Sequence, residues 1–117
     1  MSPYQEALAF MREKPGTGAA AGLAKLILSL YHPLHAFGLG ECTRSFDPTC
    51  DGIAQRMIVH YFAHGEDHEL RDAGLAVYEA WPRLVDLSMA AQNAKETIWQ
   101  QWDEAPCDRE GASSYMN

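Results

Sequence analysis

Five histidines and three cysteines are the side chains of this 117-residue sequence best suited to hold a metal ion or move a proton. His32, His35, Cys42 and Cys50 form a His2Cys2 set with the spacing H-x2-H-x6-C-x7-C. Zn2+ accepts this donor combination in tetrahedral geometry, and an irregular segment gains a staple from it. The spacing departs from the usual finger patterns, and the tight C-x2-C knuckle is missing. On the alternative reading, His32 and His35 are solvent-facing turn residues, and Cys42 and Cys50 are small buried hydrophobes. His60, His64 and His68 recur every four residues. On one continuous helix they would share a face, but Gly65 is expected to end that helix and swing His68 away. No Glu follows His60, so the zinc-protease helix motif is absent. His64 is then expected to serve the last carbonyls of its helix when protonated.

Other catalytic signatures are missing. The chain has no phosphate-cradling Gly-Lys-Ser/Thr loop and no Gly-x-Ser-x-Gly elbow. Gly38-Leu39-Gly40 is too short for a dinucleotide fingerprint. The adjacent acids Glu66/Asp67 and Asp103/Glu104 point different ways on a helix. Cys107 lies among Asp108 and Glu110, which should raise its pKa and blunt it as a nucleophile. No cofactor and no enzymatic activity are expected from these signals; the alternative is a small metal-binding protein or metal-dependent enzyme that uses the histidines and cysteines. An odd cysteine count, without a basic-then-apolar leader, points to the reducing cytoplasm rather than to a disulfide framework.

The elements that must position these residues read as all-α. Five helices and no strand are expected, packed as a compact bundle or an orthogonal array over residues 1–104, with a disordered tail over 105–117. The first helix runs from Pro3 to Glu13, capped by Ser2, with Tyr4, Ala7, Leu8 and Met11 on one face. The second runs from Thr17 or Gly18 to Tyr31. Leu28 lies off its Leu23–Leu26–Ile27–Leu30–Tyr31 stripe, so this helix is expected to be central and covered on several sides. His32 to Phe46 is irregular, a loop or short helix whose Leu34, Phe37, Leu39 and Phe46 pack on the core. The third helix starts at Asp47-Pro48, carries Ile53, Ala54, Met57, Ile58, Tyr61 and Phe62 as a broad apolar arc, and stops at Gly65. The fourth starts near Glu66 or Asp67, with Leu70, Gly74, Val77, Tyr78 and Trp81 inward, and breaks at Pro82. The fifth runs from Pro82 to about Asp103, with Leu84, Leu87, Ala91, Ala94, Ile98 and Trp102 in register for five turns. No apolar run is long enough to span a membrane.

Charge is unevenly placed. The net charge is −7. Residues 1–62 hold five acids and five bases, whereas residues 63–117 hold eleven acids and four bases. Direct contact with nucleic acid or an anionic membrane is disfavoured, because phosphate binding needs a basic patch. A basic protein or nucleoprotein complex is the natural complement. On the fourth helix Glu69, Asp72 and Glu79 fall opposite Leu70, Val77 and Trp81, and Glu66 and Asp67 extend this acidic stripe at its N-terminal end. Plain solubility is the competing explanation for such a face. Trp99 lies off the main stripe of the fifth helix. If exposed, it is an interface anchor, because Trp is enriched at binding hot spots. Tyr4, Trp81 and Trp102 read more simply as core. Apolar faces shared with a second copy would make the chain a homodimer or a helical subunit of a larger assembly.

This general character (short, acidic, helical, without catalytic signatures) resembles that of the small inhibitors that phages and mobile elements encode against bacterial defence, such as anti-CRISPR proteins. The resemblance implies a protein that occupies the basic nucleic-acid channel of a defence complex. It puts Glu69, Asp72 and Glu79 first among the contact residues, with Glu66 and Asp67 behind them.

Overall fold

The computed structural model describes residues 1–104. The expected tail, with Cys107, lies outside the described residues. Among these, the chain is all-α: α1 (Pro3–Glu13), α2 (Gly18–Tyr31), a 3-10 turn (Pro33–His35), α3 (Leu39–Thr43), α4 (Pro48–His64), α5 (His68–Ala80) and α6 (Pro82–Glu104). None of these helices is long and apolar enough to cross a membrane.

Each long helix before α6 starts on a side-chain cap that the sequence announces. Ser2 Oγ accepts from Gln5 N at 3.2 Å while Gln5 Oε1 accepts from Ser2 N at 3.0 Å, a reciprocal capping box. Thr17 caps α2 through Ala20 N. Asp47 caps α4 through Cys50 N at 2.8 Å, with Pro48 in the first helical position. Gly65 ends α4 at φ 65°, ψ −151°, a region open essentially to glycine, and its N–H donates to the Tyr61 carbonyl.

The central position of α2 follows from its composition. Ala19, Ala20, Leu23, Ala24, Leu26, Ile27 and Leu28 are all buried, and the helix packs against α1, α3, α4, α5 and the 3-10 turn. Small residues on one side let neighbours approach. At Gly22 the backbone of α3 comes so close that a Cβ would fall on the Cys42 carbonyl oxygen. Tyr4, Met57, Leu70 and Val77 complete the core from α1, α4 and α5. His32 to Phe46 holds the 3-10 turn and α3, the latter too short (5 residues) to show a period in sequence. Cys42, Phe37 and Phe46 pack on the core from there.

Three expectations are corrected. Leu34 and Leu39, expected to pack on the core, are exposed. Phe62, placed in the inward arc of α4, is exposed, as is Val59. The larger correction concerns α6. Leu84 and Val85 pack against the core, and the start of the helix rests on the 3-10 turn and α5. From Met89 to Asp103 only Gln92 is not exposed. Leu87, Ile98, Trp99 and Trp102 are 54%, 44%, 54% and 41% exposed. The five-turn stripe exists, but most of it faces solvent. A periodic apolar face records what a helix is able to bury, not whether its own chain supplies the cover. The principal extents are 52 × 29 × 27 Å.

Candidate functional site

The chemistry-bearing side chains meet at the corner between α4 and α5. Gly65 turns the chain, and Asp67 caps α5 by accepting from Leu70 N at 2.9 Å through Oδ1. Its other oxygen, Oδ2, lies 3.0 Å from His60 Nε2 on the last turns of α4. The Leu70 amide, with a smaller contribution from His60, holds the Asp67 carboxyl below the usual carboxylate range, against an opposing push from burial. Glu69, in the first turn of α5, brings a carboxylate into the same place. One donor atom each from His60, Asp67 and Glu69 lies within 4.8 Å of the other two. The Tyr4 ring meets His60 edge-on, centroids 5.3 Å apart. The Tyr4 hydroxyl is buried without a hydrogen-bond partner. Burial, then the charge of Asp67 and smaller contributions from Tyr61 and Glu69, push its pKa up to about 12. A groove of about 810 Å3 between α1 and α5 reaches both Tyr4 and Glu69.

The expected acidic stripe is therefore divided. Glu66 lies 3.7 Å from Arg71, Asp67 is committed to Leu70 and His60, and Glu69 turns into the corner. Asp72 and Glu79 are exposed and make no ion pair among the described residues. Replacing Asp67 by Ala removes a cap and the His60 contact together. Urea unfolding should report a loss of about 1–2 kcal/mol, and Asp67→Asn, which still caps, should lose well under half of that.

His32, His35, Cys42 and Cys50 are not brought together as a metal site. The ring of His32 is exposed, with Nδ1 accepting from Leu34 N at 3.1 Å. His35 is not solvent-facing, contrary to the turn reading: it is 4% exposed, and both ring nitrogens are engaged. Its Nδ1 lies 2.8 Å from Ser88 Oγ, and its Nε2 meets the Tyr78 hydroxyl. Ser88 Oγ donates to the Val85 carbonyl at 2.8 Å. The serine proton is thus occupied, and the His35–Ser88 pair is a structural tie rather than a nucleophile with its base. Cys42 and Cys50 are buried, as the alternative reading has them. Burial pushes the Cys42 thiol up, and burial with the neighbouring Asp47 pushes Cys50 to about 11, so neither is a ready thiolate at neutral pH. Of the aromatics, Tyr4 is core and Trp81 half-buried, whereas Trp99 and Trp102 are exposed on the free half of α6.

Sequence spacing missed two groupings. The His60–Asp67–Glu69–Tyr4 cluster joins residues from three helices, and its one local signal was a pair of acids just past a helix-ending glycine. The His35–Tyr78–Ser88 tie joins a turn to two helices. Its signal was a serine at the position, four residues after Leu84, where the apolar stripe of α6 passes over the core. No protein-family model, no curated protein and no solved structure matches the chain.

Proposed function

We propose that this chain is a protein-binding module that docks through the free half of α6. The observation that supports the reading is the exposure of Ile98, Trp99 and Trp102 on a helix that has left its own core. A short helix without tertiary packing is marginal in water, and two exposed indoles on it are costly to leave hydrated. A partner groove that covers them resolves both costs, in the helix-in-groove mode of recognition. The excess of acids in residues 63–117 and the exposed Asp72 and Glu79 favour a basic partner. In its most specific form, the partner is the basic nucleic-acid-binding surface of a bacterial defence complex, and the chain is a cytoplasmic, mobile-element inhibitor that occupies it.

The test is capture from a bacterial lysate at low and high salt, with the native chain beside Trp99→Ala/Trp102→Ala and Asp72→Ala/Glu79→Ala. One basic complex should be retained by the native chain, more weakly as salt rises. The double Trp variant should lose at least about 30-fold in affinity for that complex without a change in melting temperature. Equal retention by the Trp variant, or a fall in its melting temperature with binding intact, overturns the reading. A second copy is the other occupant to weigh, because Leu84, Leu87, Ala91, Ala94 and Ile98 follow the alternating three–four spacing of a coiled-coil seam. Sedimentation at several concentrations separates the two: a stable dimer whose seam excludes the lysate partner decides for self-assembly.

A further inference from the structure

We propose that His60, Asp67 and Glu69 form a binding site for a divalent transition-metal ion of the Zn2+ type, with the Tyr4 hydroxyl as the group that orients its water ligand. The donor atoms lie within 4.8 Å of one another on two helix ends fixed by the Gly65 corner. Zinc bonds of about 2.0–2.1 Å to nitrogen and oxygen place neighbouring ligands roughly 3.0–3.4 Å apart. His60 Nε2 and Asp67 Oδ2, at 3.0 Å, already stand at such an edge. Asp67 reaches the site with Oδ2 while Oδ1 stays on the Leu70 amide, so the helix cap is kept and the carboxylate is held in place by it.

One imidazole and two carboxylates leave a fourth position for water. The side chains of His60 and Asp67 are partly open to solvent, so an ion can enter. Tyr4 supplies the independent sign that something belongs there. Its side chain is wholly buried, its ring rests on His60, and its hydroxyl has no partner. An orphaned buried hydroxyl is costly, and a metal-bound water would donate a hydrogen bond to its oxygen. Bound there, the ion would tie α1, α4 and α5 together at one corner. The mixed nitrogen and oxygen donors suit Zn2+, Co2+ or Mn2+ better than Mg2+.

The experiment uses the full chain, without a His tag, stripped with chelator and titrated with Zn2+ by calorimetry and with Co2+ by absorption. One equivalent should bind, and a hundredfold excess over Kd should raise the melting temperature by roughly 10 °C or more. Glu69→Gln, which leaves the cap and the His60–Asp67 contact intact, should weaken binding at least about 10-fold. Tyr4→Phe should also weaken binding, while the metal-free protein melts no lower than the native chain. The Co2+ complex should show no thiolate charge-transfer band. Absence of stoichiometric Zn2+ and Co2+ binding overturns the proposal. So does binding that neither variant weakens, or a thiolate band, either of which would put the ion on the cysteines or other histidines.

Discussion

Gly22→Ala is expected to be the most damaging single methyl in the protein. The added Cβ would land on the carbonyl oxygen of Cys42 and come within 2.8 Å of Phe46 Cε1. The ring can turn, but the carbonyl belongs to the backbone of α3 and cannot. Either α3 moves off α2, uncovering Cys42 and Phe46, or α2 bends. Overpacking a rigid core site costs typically up to about 3 kcal/mol and sometimes more, and Gly22 should lie at that upper end. For a domain of this size the melting temperature should fall by roughly 12–20 °C. Two other glycines calibrate the argument. At Gly74 the Cβ would meet the ring of Tyr31 at 2.5 to 2.8 Å. That half-buried ring can swing at the expense of its edge-on contact with Tyr78, so Gly74→Ala should cost less. At Gly52, inside α4, the nearest atom is the end of the Arg56 side chain at 3.2 Å. There the better helix propensity of Ala should prevail and raise stability by about 0.5–1 kcal/mol. Thermal melts of the three variants should rank Gly22→Ala lowest, Gly74→Ala next and Gly52→Ala above the native chain. A Gly22→Ala variant that melts like the native protein would mean that α3 does not rest on α2 as described.

That ranking also shows where sequence reading stops. The helices were legible because their starts and stops are local chemistry: Ser2 with Pro3, Asp47 with Pro48, Gly65 after His64, and the apolar period of α2. The role of Gly22 was not, because it depends on how closely α3 crosses α2, and the small residues around Gly22 permit a close approach without saying which element makes it. The acidic stripe shows the same limit from the other side. Wheel geometry placed Glu66, Asp67 and Glu69 with Asp72 and Glu79, but partners outside the helix decide what a carboxylate does. Arg71 takes Glu66, the Leu70 amide and His60 take Asp67, and Glu69 joins them at the corner. In α6 the apolar period is present, but most of it is not buried. Nothing in an apolar stripe says that the rest of the bundle ends near Met89. Trp99, singled out because it lay off that stripe, shares its exposure with Trp102, which lay on it.

Breaking the buried tie at His35 should release α6 from the body, and acid should do the same to the native protein. Ser88 Oγ gives its proton to the Val85 carbonyl, so His35 Nδ1 carries the hydrogen that Ser88 accepts, and Nε2 is left to accept from Tyr78. A neutral ring with its hydrogen on Nδ1 satisfies all three groups, and burial favours that form. Burial, then the nearby charge of His32, lowers its pKa below the usual 6.5. The stabilising contribution of a group held neutral in this way is complete above the unfolded value near 6.5. It declines as pH falls below that value and is gone once pH drops through the lowered folded value, because the unfolded chain then binds a proton that the folded ring resists. His35→Ala removes the tie at every pH, leaves Ser88 and Tyr78 without their partner and opens a cavity, a loss of about 2–4 kcal/mol at pH 7. The difference in unfolding free energy between native and variant should shrink as pH is lowered from 7 toward 5, since acid takes from the native protein what the variant already lacks. The other four histidines are common to both proteins, so the difference isolates position 35. Hydrogen exchange gives the location. Amides at the start of α6 should lose protection in the variant before those of α2, because α6 rests mainly on the 3-10 turn and α5 whereas α2 is covered by five elements. A difference that stays constant with pH, or uniform loss of protection across α2 and α6, would show that His35 fills space in the core without acting as the polar tie that holds α6.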